Sequence, residues 1–126
     1  MKKVAYVAGP YRADTIHGVV ENIRSAEAVA IELWKMGYAV ICPHKNTALL
    51  DGVCGDEVWL EGAIELMLRS DIVVLVPGWD KSEGTKAEAF KAMEDGMPVY
   101  KWPDHEQELR ELDKGGMERY VGENIS

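Results

Sequence analysis

Residues 72–76 read Ile-Val-Val-Leu-Val, five apolar residues in a row between Asp71 and Pro77. A strand with one face in water alternates apolar and polar residues, so an unbroken run of this length marks a strand buried on both faces. Such a strand needs helices above and below it, and the rest of the chain supplies them. Residues 3–8 form a second apolar run, ended by Gly9-Pro10. Over 18–36 the apolar residues Val19, Ile23, Ala26, Ala30 and Leu33 recur at helical spacing, with Gly37 placed as a C′ cap. Residues 38–42 predict another strand, stopped by Pro43, and 44–55 read as a long loop containing Asn46, Thr47, Asp51, Gly52 and Gly55. Asp56 is placed to cap a helix running to about residue 69, with Leu60, Ala63, Ile64 and Met67 inward. After the 71–77 strand, a polar loop over 78–84 leads to a helix over 85–95 that Gly96 ends. A fourth strand over 97–101 and a helix over 105–114 follow, then Gly115-Gly116 and a tail. Strands alternating with helices predict an α/β domain over 1–126, built on a doubly wound parallel sheet of four or five strands in a three-layer sandwich.

Charge narrows the partners. The chain of 126 residues carries a formal charge of −8, and its isoelectric point is about 4.8. Nucleic acid and anionic membranes require clustered Lys and Arg, so neither is expected. A small anionic ligand needs only a few cations focused locally. With 47% hydrophobic residues, the chain can bury a core without metal or disulfide staples. Cys42 and Cys54 are the only cysteines, and the apolar run after Lys2-Lys3 is too short for a signal peptide. A reducing cytoplasm is the expected location.

In open parallel sheets, ligands bind beyond the carboxyl ends of the strands. That rule selects the loops 9–17, 43–55 and 77–84, and three constellations stand out there. In the third loop and the helix after it, Gly78, Trp79, Ser82, Gly84 and Glu88 combine small residues for close backbone approach with a helix N-terminus suited to an anion. Glu88 reads as a first-turn carboxylate that stays ionised, as a nucleophile requires, or as a favourable Glu in a capping box from Thr85. Trp79 stacks on a base or covers the sheet edge.

In the first loop, Gly9-Pro10-Tyr11-Arg12 lacks both the dinucleotide fingerprint and the Gly-Lys-Ser/Thr of a P-loop. Arg12 reads as a phosphate or carboxylate ligand, or as a solvated turn residue. Tyr6 is either core or a hydroxyl aimed at a catalytic carboxylate. His44, after the second strand, reads as a ligand-binding or acid/base residue, or as an ordinary loop histidine. Cys42, His44, Cys54 and His105 match no compact zinc spacing, so no metal is expected.

Together these loops resemble the nucleoside 2-deoxyribosyltransferase superfamily, in particular its short members. The resemblance spans about residues 3–101 and rests on Tyr6-Val7-Ala8-Gly9-Pro10-Tyr11, Cys42-Pro43-His44 with Asn46-Thr47, Ser70 to Val74, and Gly78-Trp79 through Ser82, Gly84 and Glu88. It implies a flavodoxin-like sheet, a homodimer or homotetramer, a nucleoside or nucleotide substrate and no cofactor. It also implies Glu88 as nucleophile, oriented by Tyr6, attacking the anomeric carbon to expel the base and leave a glycosyl-Glu88 intermediate. Gly9, Arg12, His44, Trp79, Ser82 and Gly84 are then expected to contact substrate.

Two departures shape the expectation. The Asp that family members carry on the helix before the third strand falls near Ala63, with Glu61 one candidate to replace it from a shifted register. The base-contacting Asp of the transferases, six residues before the nucleophile, is Ser82 here. A serine there resembles the branch that hydrolyses nucleoside 5′-monophosphates, with Arg12 and the helix N-terminus complementing phosphate. Hydrolysis is therefore expected ahead of base exchange. The competing reading is a non-catalytic nucleotide-binding protein of the same fold. A flavin carrier would need a Ser/Thr-rich loop where Gly9-Pro10-Tyr11-Arg12 stands.

Overall fold

The computed structural model describes residues 2–48 and 50–112. Its elements run β1 (Val4–Ala8), α1 (Ile16–Met36), β2 (Ala39–Ile41), α2 (Pro43–Asn46), α3 (Asp56–Leu68), β3 (Ile72–Leu75), α4 (Glu83–Glu94) and β4 (Val99–Lys101). The four strands form one parallel sheet in the order β2-β1-β3-β4. The central pair is the pair with unbroken apolar runs. Every residue of β3 is buried, as are the last four of β1, whereas no residue of the edge strands β2 and β4 is fully buried.

Alternation along the central strands divides the core in two. Ala5, Val7, Ile72 and Val74 face Ala26, Val29, Ala30 and Leu33 of α1, together with Leu109. Tyr6, Ala8, Val73 and Leu75 face the other way, onto Met67 of α3 and Ala89 and Ala92 of α4. Helices thus cover both faces, giving a flavodoxin-like three-layer α/β sandwich. The helical residues 106–112 join the first layer, where the buried Tyr38 hydroxyl donates to the Leu109 carbonyl at 2.6 Å. The expected 105–114 helix is described only to 112, and the tail after it lies outside the described residues.

Local chemistry sets the helix ends. Thr15 accepts from the Gly18 amide at 2.9 Å, so α1 starts two residues before the expected 18. Its C-terminus closes at Gly37, whose φ of 106° lets Gly37 N–H reach Trp34 O at 3.0 Å and Tyr38 N–H reach Leu33 O at 3.2 Å. Three expectations need correction. Asp56 is the first residue of α3 and not its cap, which is Gly55 with no side-chain hydrogen bond. The 44–55 stretch is not all loop, because Pro43 opens the one-turn α2, a position where its missing N–H costs nothing. The helix carrying Glu88 begins at Glu83 rather than 85, because Ser82 is its N-cap and accepts from Thr85 N–H at 3.2 Å. Thr85 is inside the helix and opens no capping box.

Candidate active site

A cavity of about 190 Å³ lies at the carboxyl ends of β1 and β2. The first two expected loops wall it, through Gly9, Tyr11 and Arg12 on one side and His44, Thr47 and Asp51 on another. The third wall is α3, whose Asp56, Trp59, Leu60 and Ala63 recur at the three- and four-residue spacing of one helix face. Tyr6 and Glu88 also line it.

Tyr6 sits inside β1, 1% exposed and paired in register with Val73 and Ile41. Its hydroxyl donates to Glu88 Oε2 at 2.5 Å, across 82 residues of sequence. Burial pushes the Tyr6 pKa far above the ordinary phenol range, reinforced by the negative charge and hydrogen bond of Glu88, so the hydroxyl keeps its proton and donates it to Glu88. Burial also raises the Glu88 pKa, opposed by the Tyr6 hydrogen bond. This corrects the expectation of a first-turn carboxylate. Glu88 is the sixth residue of α4, beyond the first turn where the helix dipole acts, and desolvation is the larger influence on it.

His44 is 5% exposed and lies on the wall. Its Nε2 is 2.9 Å from Pro10 O, a carbonyl that can only accept, so Nε2 carries the ring proton. Nδ1 is buried without a hydrogen-bond partner. Burial lowers the His44 pKa, opposed by the carbonyls of Pro10 and Gly9, which favours the neutral ring.

At the mouth, Tyr11 donates to Asp51 Oδ1 at 2.8 Å, and Arg12 pairs with Asp56 through side chains that are 75% and 66% exposed. Asn22 of α1 pins this first loop by donating to the carbonyls of Tyr11 at 3.0 Å and Arg12 at 3.3 Å. Gly9 has a packing reason too. A Cβ there would lie 2.8 Å from Val76 Cβ, so the turn after β1 can lie on the end of the sheet only without a side chain.

Four sequence candidates lie off the cavity wall. Glu61 is exposed, two residues from Ala63 and therefore on another side of α3. Trp79 packs on the α3/α4 core layer, with Lys101 Nζ 5.7 Å from its ring centroid. The Ser82 hydroxyl is engaged with Thr85, at 3.2 Å from its amide and 3.0 Å from Oγ1. Gly84 follows in the first turn of α4. Sequence reading did not name Tyr11, Asp51, Asp56 or Trp59 as site residues. The available signal was topological: a helix that follows a strand starts at that strand's carboxyl end, which puts the first turns of α3 beside the site.

Among the described residues, no group of three or more His, Cys, Asp or Glu is placed to hold a metal ion, and no helix is long and apolar enough to cross a membrane. A family profile described as Domain of unknown function (DUF4406) matches residues 3–101, so the chain belongs to that family. No curated protein matches the chain.

Proposed function

We propose that this member of the DUF4406 family cleaves the N-glycosidic bond of a nucleoside or nucleoside 5′-monophosphate, with Glu88 as nucleophile and Tyr6 as the residue that orients it. The observation that carries the reading is the 2.5 Å hydrogen bond from a buried strand tyrosine to a carboxylate on the wall of the cavity. Tyr6 holds Oε2, and the other carboxylate oxygen attacks the anomeric carbon. The bond from that carbon to the base nitrogen breaks, and its electron pair leaves with the base, which takes up a proton. Water then attacks the same carbon, displaces Glu88 and releases the free sugar with retained configuration. The attack needs Glu88 ionised and the second step returns it as the carboxylate, so burial sets the acid limb of the pH profile and the Tyr6 hydrogen bond holds that limb down.

Water ahead of a second base as acceptor follows from the resemblance alone: position 82, where the transferases carry an acidic base contact, is a serine, which caps α4 off the cavity wall. A cytoplasmic homo-oligomer belongs to the same reading. Cys42 and Cys54 are free thiols, and α3 and α4 expose the apolar side chains Val58, Leu66, Phe90 and Met93, which suit contact with a second copy.

The test is chromatography of bases released from nucleosides and 5′-monophosphates, with and without a second free base. Base release that Glu88→Ala removes is the expected result. A new nucleoside in the presence of a second base would identify the transferase instead. Folded protein that releases nothing would overturn the enzymatic reading.

A further inference from the structure

We propose that Asp51 and Asp56 are the specificity determinants of this cavity, a carboxylate pair at its mouth that bars 5′-phosphorylated ligands and admits the unphosphorylated nucleoside. The inference rests on the glycosidase reading and decides between its two substrate classes.

The charged side chains on the wall are Arg12, Asp51, Asp56 and Glu88, one cation against three carboxylates when Glu88 is ionised. The cation is already engaged, because Arg12 pairs with Asp56. Hydroxyl donors are engaged as well: Tyr6 donates to Glu88, Tyr11 to Asp51, and Thr47 to the Pro43 carbonyl at 3.1 Å. Acceptors are in excess. His44 Nδ1 is buried and unpartnered, and with Nε2 protonated toward Pro10 O it holds an unmatched lone pair.

A phosphate monoester brings roughly −1.5 to −2 charge to a wall whose carboxylates outnumber its one cation. Like charges oppose its entry. A nucleoside offers sugar hydroxyls and base amino groups, donors that suit the carboxylates. The serine expected to hold phosphate does not offset this, since Ser82 lies off the wall, where its oxygen accepts from the Thr85 amide and hydroxyl.

The experiment measures kcat/KM for base release, and binding by titration calorimetry, for the common nucleosides and the 5′-monophosphate of each, using the full chain and the variants Asp51→Asn and Asp56→Asn. Asparagine keeps an acceptor for Tyr11 at position 51 and frees Arg12 at position 56. The expected result is a preference of about tenfold or more for nucleoside over monophosphate. Each variant narrows that ratio roughly threefold or more, and added salt narrows it in the parent, as screening of like charges requires. Because the ratio is taken within each variant, partial loss of folded protein cancels. A monophosphate preference, or a ratio that neither variant moves, overturns the proposal and leaves the glycosidase reading standing. If nothing releases base but the calorimetric ratio still favours nucleoside, the glycosidase reading falls and the selectivity stands. Absence of binding by either class overturns both.

Discussion

The site contains the same chemical pair twice, in two settings. Tyr6 donates to Glu88 at 2.5 Å in the interior, and Tyr11 donates to Asp51 at 2.8 Å at the mouth. The inner pair joins a central strand to a helix of the core layer that this side of the strand faces, with the phenol almost fully buried. The outer pair joins two loops, beside the exposed Arg12–Asp56 ion pair. Burial lets the inner bond act on protonation states, because the phenol is withdrawn from water. At the mouth water competes, so the same bond orders loops and little else. A tyrosine next to a carboxylate therefore gains chemical meaning from its surroundings.

The largest break of this comparison is Glu88→Ala, for which we expect a loss of about 10⁴-fold or more in kcat with an unchanged far-UV spectrum, the scale seen when a nucleophile is removed. Retained turnover would place the chemistry elsewhere. Tyr6→Phe comes next, with a drop of roughly 10²-fold in kcat/KM and an acid limb moved to higher pH. The sign follows from the cited shifts: burial raises the Glu88 pKa, the Tyr6 hydrogen bond opposes it, and only burial remains in the variant. A pH profile that stays in place would show that the hydroxyl does not act through Glu88.

Glu88 also links stability to pH. Its pKa is higher in the folded state than in an exposed chain, so its contribution is fully present below the unfolded carboxylate pKa and is lost as pH rises through the folded value. Glu88→Gln cannot ionise. Its Tm should gain on that of the parent across this window, and a constant Tm difference between the two would contradict the desolvation argument. Ser82→Ala sharpens the contrast from outside the cavity, with an expected loss of about 1 kcal/mol in urea unfolding from the missing N-cap of α4. The smallest effect belongs to the mouth. Arg12→Ala should change stability by less than about 1 kcal/mol, since its ion pair is mostly solvated.

The five-residue apolar run 72–76 is enough to require a central parallel strand, and Gly37 is enough to end α1, because burial on two faces and a left-handed closing residue leave local traces. Element order then gives the layers, and the strand-end rule gives three loops, of which two wall the cavity. Tertiary structure decided the rest. The start of α4 moved because Ser82 wins the cap, which placed Glu88 past the reach of the helix dipole. Glu61 and Trp79 left the site because helix phase and core packing, rather than chain proximity, choose which side chains share a wall. Asp51 and Asp56 joined it because two loops meet at Tyr11 and Arg12. The sequence by itself determined which strands are buried and where helices close, since those depend on neighbours within a few residues. Charge state and cavity membership depend on groups as far apart as Tyr6 and Glu88, and only the folded chain brings them to 2.5 Å.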